Sequence, residues 1–215
     1  MKHPGLIVFD IDGTLLQTGL VTVPAVQRTF AAFGLPIPAP ETICGFFGKP
    51  TEDYEAWIAT LCPDGMAQTI IEATNTLELN LIGGEGELYS GAREVLRGLR
   101  EEGYVLAICS NGPDAYVAEF LDAHEVRSFF REVRTRGTKY DGKETMLREI
   151  LACIPARPAI VVGDRHDDIS AAHANGALAI GAAYGFGSQA ELHDADAVAA
   201  RAADIPAAIE ELLNR

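Results

Sequence analysis

The sequence predicts an α/β fold: a parallel sheet covered by helices on both faces, with a helical unit inserted after its first strand. Three observations predict it. Short apolar runs alternate with helical patterns in two portions of the chain. Those runs are continuous rather than alternating, as strands buried on both faces are. Residues from about 17 to 88 break the rhythm, showing helical periodicity with no convincing strand. At 48% hydrophobic residues in 215, the chain can bury one sizeable core, or a core and a small appendage.

The elements follow in order. "LIVF", Leu6 to Phe9, reads as the first strand. "VPAVQRTFAAFG", "TEDYEAWIATLC" and "GMAQTIIEATNTLELNLIGG" read as the inserted helices, and Gly83, Gly84, Gly86 and Gly91 on the return side suit a hinge. Ser90 opens the helix "SGAREVLRGLREEG", which Gly103 closes. The next strand is Val105 to Cys109, and a helix follows Pro113. "KETMLREILACI" from Lys143 is a helix, Ala159 to Val162 a strand, and "DISAAHANG" a helix ended by Gly176. A strand from Leu178 to Ile180 and a final helix, "IPAAIEELLNR" with Pro206 in its first turn, complete the pattern. The expected division is a core of residues 1–16 and 89–215 and a helical unit of residues 17–88.

The formal net charge of −14 removes any large basic footprint for nucleic acid or an anionic membrane surface. An anionic substrate must then be attracted locally, by a metal or a few donors. Cys44, Cys62, Cys109 and Cys153 form no CxxC pair and read as reduced thiols. The start "MKHPGLIVFD" runs into a strand, and no apolar segment is long enough for a signal peptide or a span, so a cytoplasmic protein is expected.

The chemistry gathers where strands end. In an extended backbone Asp10 and Asp12 project to one side while Ile11 turns into the sheet, and Gly13 permits a sharp turn. Two neighbouring carboxylates resist ionising together unless a divalent cation or a transferred group separates their duties. "DG" can equally be a simple turn. After "VLAIC", Ser110, Asn111, Gly112 and Pro113 lead into a helix, which puts a hydroxyl beside free amides, a phosphate-binding arrangement. After "AIVVG", Asp164 stands at a strand end with Asp167 and Asp168 at the following helix start, oxygen ligands suited to Mg2+. Lys143 opens a helix, where the dipole does not favour a cation; it is preferred over Lys139 as the positive charge for a phosphoryl oxygen.

Together these residues resemble the haloacid dehalogenase-like hydrolase superfamily, in its phosphatase branch. "DIDGT" matches the first motif, "CSN" the second, "GK" at Lys143 the third and "VVGDRHDDI" the fourth, in the family's order and over nearly the whole chain. The resemblance implies a Rossmann-like parallel sheet core with an inserted α-helical cap, as in phosphoglycolate phosphatase-like and β-phosphoglucomutase-like members. It implies Asp10 as a nucleophile forming an aspartyl-phosphate and Asp12 as general acid and base. It further implies Mg2+ held by Asp10, Asp12 through its backbone carbonyl, and Asp164, with Asp168 in support, and phosphoryl binding by Ser110, Asn111 and Lys143. Asp167 is extra to the family spacing and reads as a rim residue. Dehalogenases of the superfamily lack the second aspartate of the first motif, so Asp12 points to phosphoryl chemistry.

The substrate expected is a small phosphorylated metabolite. Between residues 15 and 88 the only cations are Arg28 and Lys49, which argues against a second phosphate bound by the cap. "GFFGKPTEDY", residues 45 to 54, is the candidate substrate loop, with Phe46, Phe47 and Lys49; each phenylalanine also reads as cap core. Tyr54 and Trp57 read as cap core, Arg165 and His166 as solvent-facing loop, and "YGFGS" at 184 to 188 as a flexible loop near the site. A phosphomutase, or a phosphonoacetaldehyde hydrolase-like enzyme using a cap lysine, ranks second. A non-catalytic phosphoryl-binding or signalling module ranks last, because receiver domains carry no helical insert after their first acidic strand.

Overall fold

The computed structural model describes residues 5–137 and 140–214. Six strands form one parallel sheet: β1 (Leu6–Phe9), β2 (Val105–Ser110), β3 (Phe130–Thr135), β4 (Ala159–Gly163), β5 (Leu178–Ala182) and β6 (Ala197–Ala199). Their spatial order is β3-β2-β1-β4-β5-β6. β1 is therefore central, and the chain reverses its direction of travel across the sheet there. In such sheets ligands bind beyond the carboxyl ends of the strands at this switch point.

Successive side chains of a strand face opposite sides, and β1 divides accordingly. Ile7 and Phe9 pack against α5 (Ala92–Glu101), α6 (Asp114–Ala123) and α9 (Ile205–Leu213), whose Leu96, Phe120 and Ile209 are buried with them. Leu6 and Val8 pack against α7 (Lys143–Cys153) and α8 (His166–Ala174), through Met146, Ile150 and Ile169. Both faces are covered, so continuous apolar strands are what the architecture requires.

Between β1 and α5 lie α1 (Gly19–Ala32), α2 (Pro40–Cys44), α3 (Thr51–Leu61) and α4 (Ala67–Gly84). They build a separate apolar cluster around Val26, Phe30, Ile43, Tyr54, Ile58 and Ile70. The two crossings to this unit run side by side. Leu16 bridges Leu88, the Gln17 backbone N–H donates to the Glu87 carbonyl at 2.9 Å, and the Gln17 side chain donates to the Leu88 carbonyl at 3.1 Å. Gly83 and Gly84, expected to hinge, complete the last turn of α4. The first inserted helix begins before Pro24, at Gly19.

β3, β6 and α2 carry no clear sequence signal. β3, "FREVRT", is an edge strand whose charged residues leave it half-buried, so it lacks an apolar run. β6 has three residues and α2 five, too short for a period to register.

Candidate active site

Asp10 follows β1 directly, and its backbone N–H donates to the Val162 carbonyl of β4 at 2.9 Å. Its side chain continues the Leu6, Val8 face, toward α7 and α8. There Lys143 Nζ, at the first position of α7, lies 2.8 Å from Asp10 Oδ1 and 2.7 Å from Asp168 Oδ1 of α8. Asp164, one residue past β4, joins them, and oxygens of Asp10, Asp164 and Asp168 lie within 4.8 Å of one another. All four side chains are almost fully buried. Lys139, the competing lysine, lies outside the described residues.

Strand geometry does not carry through to Asp12, because β1 stops at Phe9 and Gly13 turns the chain at φ 74°. Asp12 therefore meets different partners from Asp10: Tyr116 of α6 and Thr18 both donate hydroxyl hydrogen bonds to its Oδ1, at 2.7 and 2.8 Å. A Cβ at Gly13 would collide with the Asp164 carboxylate, and one at Gly163 with the Asp168 carboxylate. Glycine at both positions is what lets three acids converge.

The electrostatics of the cluster are those of too many acids for one base. Burial raises the pKa of Asp10, opposed by the Lys143 charge. Burial, then the charges of Asp10 and Asp168, lift Asp164 well above the carboxylate range. Asp168 is pushed up to about 7, chiefly by burial. Burial disfavours the Lys143 charge too, yet Asp10 and Asp168 outweigh it and its pKa rises.

These residues fit a divalent cation. Asp10 Oδ2 and Asp164 Oδ1 are buried with no hydrogen-bond partner among the described residues, which is costly unless something positive meets them. The remaining Asp164 oxygen accepts from the Phe186 N–H at 2.6 Å. Both Asp168 oxygens already have partners: Oδ1 accepts from Lys143 and Oδ2 from the Arg165 N–H at 3.1 Å, so it holds the lysine and the loop. Hard carboxylate oxygens of this kind suit Mg2+.

The other expected residues fall around this centre. Ser110 ends β2 fully buried, its Oγ accepting from the Gly112 N–H at 3.0 Å. The Asn111 amide donates to the Gly48 carbonyl of the insert at 2.9 Å and approaches Asp167 at 3.4 Å. Phe47 is buried and meets Phe186 edge-on, ring centroids 4.7 Å apart. Phe46 stacks on Trp57, and Lys49 Nζ lies 5.1 Å over the Phe46 ring. Arg165 pairs with Glu191 at 3.0 Å. Sequence reasoning missed Thr18 and Tyr116, which carry no motif and reach Asp12 only through the fold.

A doubly wound sheet with a buried acidic cluster at its switch point defines an α/β enzyme of known layout. The haloacid dehalogenase-like hydrolase family model matches residues 7–182, and the chain belongs to that family. Among curated relatives, a phosphoglycolate phosphatase of Pseudomonas savastanoi pv. phaseolicola is 29% identical over 194 residues, covering 86% of this chain and 71% of that one. One from Haemophilus influenzae is 29% identical, covering 84% and 86%. A haloacid dehalogenase-like family hydrolase of Streptococcus pneumoniae superposes with a TM-score of 0.81 at 25% identity, covering 96% of this chain and 99% of that one. A chain described as a predicted phosphoglycolate phosphatase from Haemophilus somnus shares the fold at a TM-score of 0.86 and 21% identity, covering 96% and 98%.

Proposed function

We propose that the chain is a magnesium-dependent phosphatase that hydrolyses small phosphomonoesters through an aspartyl-phosphate on Asp10. The observation that carries this reading is the buried group of Asp10, Asp164 and Asp168, two of them paired with Lys143, with two of its oxygens unpartnered among the described residues. The phosphatase names of the curated relatives support it. Asp10 and Asp164 would hold the ion, with the Asp12 carbonyl, while Asp168 would steady Lys143. Bound there, Mg2+ supplies positive charge against the phosphoryl oxygens.

The chain's own residues do the rest. A bond forms between the Asp10 carboxylate and phosphorus as the ester P–O bond breaks. Asp12 protonates the departing alkoxide and later takes a proton from the water that releases phosphate. Burial raises its pKa, which favours the protonated form for the first step, and the Tyr116 and Thr18 hydroxyls moderate that rise and fix its direction. Lys143 and the Ser110 hydroxyl face the transferred group. Residues 17–88 act as a cap, fastened by Asn111 on Gly48, Phe47 on Phe186 and an Arg136–Glu52 ion pair of 3.7 Å, and exclude bulk water. No described helix is long and apolar enough to cross a membrane, and four free cysteines suit a reducing cytoplasm.

The test is phosphate release from p-nitrophenyl phosphate and a panel of small phosphomonoesters, with Mg2+ or EDTA. Wild type turns over only with Mg2+, and Asp10→Asn loses about 10³-fold or more. Undiminished turnover in that variant would remove Asp10 as nucleophile.

A further inference from the structure

A cavity of ≈ 250 Å³ lies between the helical insert and the core, and it reaches Asp12. Glu78 of α4 and Tyr54 of α3 line it from the insert side. Glu78 Oε1 accepts from the Thr22 hydroxyl, and its other oxygen takes no hydrogen bond among the described residues. Tyr54 is 9% exposed, and its hydroxyl has no hydrogen-bond partner among the described residues. Burial raises the Tyr54 pKa well above its ordinary value and the nearby Glu78 charge adds to it, so the two groups sense each other. A buried, unpartnered phenol costs free energy that a ligand group would recover.

The positive charge available here is small and peripheral. Among the described residues Lys49 is the only basic one lining the cavity, and it is exposed, lying over Phe46. Arg28, the insert's other cation, is committed to Glu85 by two bonds of 2.9 Å. We propose that this cavity takes a neutral leaving group bearing hydroxyls, one of which donates to Glu78 and accepts from Tyr54, and that it turns away leaving groups carrying a carboxylate. A hydroxyl is both donor and acceptor and serves both residues at once. A carboxylate has no proton for Glu78 and brings like charges together in a confined space. An ammonium has no lone pair for the Tyr54 proton. The proposal rests on the phosphatase reading and names the substrate class of that same site.

The experiment compares kcat/KM for glycerol 3-phosphate, 2-phosphoglycolate, phosphoethanolamine and p-nitrophenyl phosphate, with Mg2+ at about pH 8, where a carboxylate is ionised even when raised to near neutrality. Wild type prefers glycerol 3-phosphate over 2-phosphoglycolate by about tenfold or more. Glu78→Gln and Tyr54→Phe each narrow that ratio by about tenfold. Tyr54→Phe does so without a lower thermal midpoint, since it removes a hydroxyl with no protein partner. Preference for 2-phosphoglycolate, or ratios untouched in both variants, overturns the proposal while leaving the phosphatase reading intact. Preference for phosphoethanolamine also overturns it, in favour of an ammonium. No release from any of the four, p-nitrophenyl phosphate included, sinks the phosphatase reading and this inference with it.

Discussion

Asp12 shows how neighbours far apart in the chain set the surroundings of one side chain. Two hydroxyls, 6 and 104 residues away in the chain, converge on one of its oxygens. If Asp12 is the acid and base proposed above, Asp12→Asn keeps the size and lowers kcat by about 10²- to 10⁴-fold while inhibition by inorganic phosphate stays as in wild type. Steady-state kinetics with phosphate as inhibitor measures both, and an unchanged kcat would remove Asp12 from acid–base work. The residues of this site were unevenly legible. Asp10, Asp12, Ser110, Lys143, Asp164 and Asp168 stand out because each follows an apolar run or opens a helix. Thr18, Tyr116, Tyr54 and Glu78 do not, because nothing local distinguishes a tyrosine that meets a carboxylate from one that packs in a core. Tyr54 is cap core, as expected, and it also lines the cavity, its hydroxyl without a partner among the described residues.

Helices α1 and α4 pack closely, and their contact carries a titrating group. Thr22 of α1 donates to Glu78 of α4, and burial lifts the Glu78 pKa from 4.5 to about 7. The folded state then holds a proton that the unfolded chain has released between those values. Stability from this group is fully present below about pH 4.5 and is lost as pH rises through about 7. Glu78→Gln removes the titration, so wild type loses stability relative to the variant across that window. Thermal midpoints of both proteins at the two ends test it; a constant difference would show that Glu78 titrates alike in both states. At this scale the strands buried on both faces were plain in the sequence. Edge strands β3 and β6 were not, since one side of each meets solvent and little apolar sequence is needed.

For the molecule as a whole, gathering three buried acids, only two of them paired with Lys143, costs stability that a cation bound as proposed would return. Mg2+ at a hundredfold excess over its Kd adds about 2.7 kcal/mol and raises the thermal midpoint. In Asp164→Asn the increment largely disappears, because one of the two unpartnered oxygens loses its charge. Calorimetry with Mg2+ and with EDTA checks both, and an equal increment in the variant would place the ion elsewhere. The sequence by itself determined the fold class, the helical insert after the first strand and the acids at strand ends, because periodicity and strand termini are local properties of the chain. Only the tertiary structure decided which oxygens stay unpartnered, which hydroxyls steer Asp12, and what chemical character the cavity beneath the insert has. Those depend on contacts between residues distant in the chain, and no spacing in a sequence encodes them.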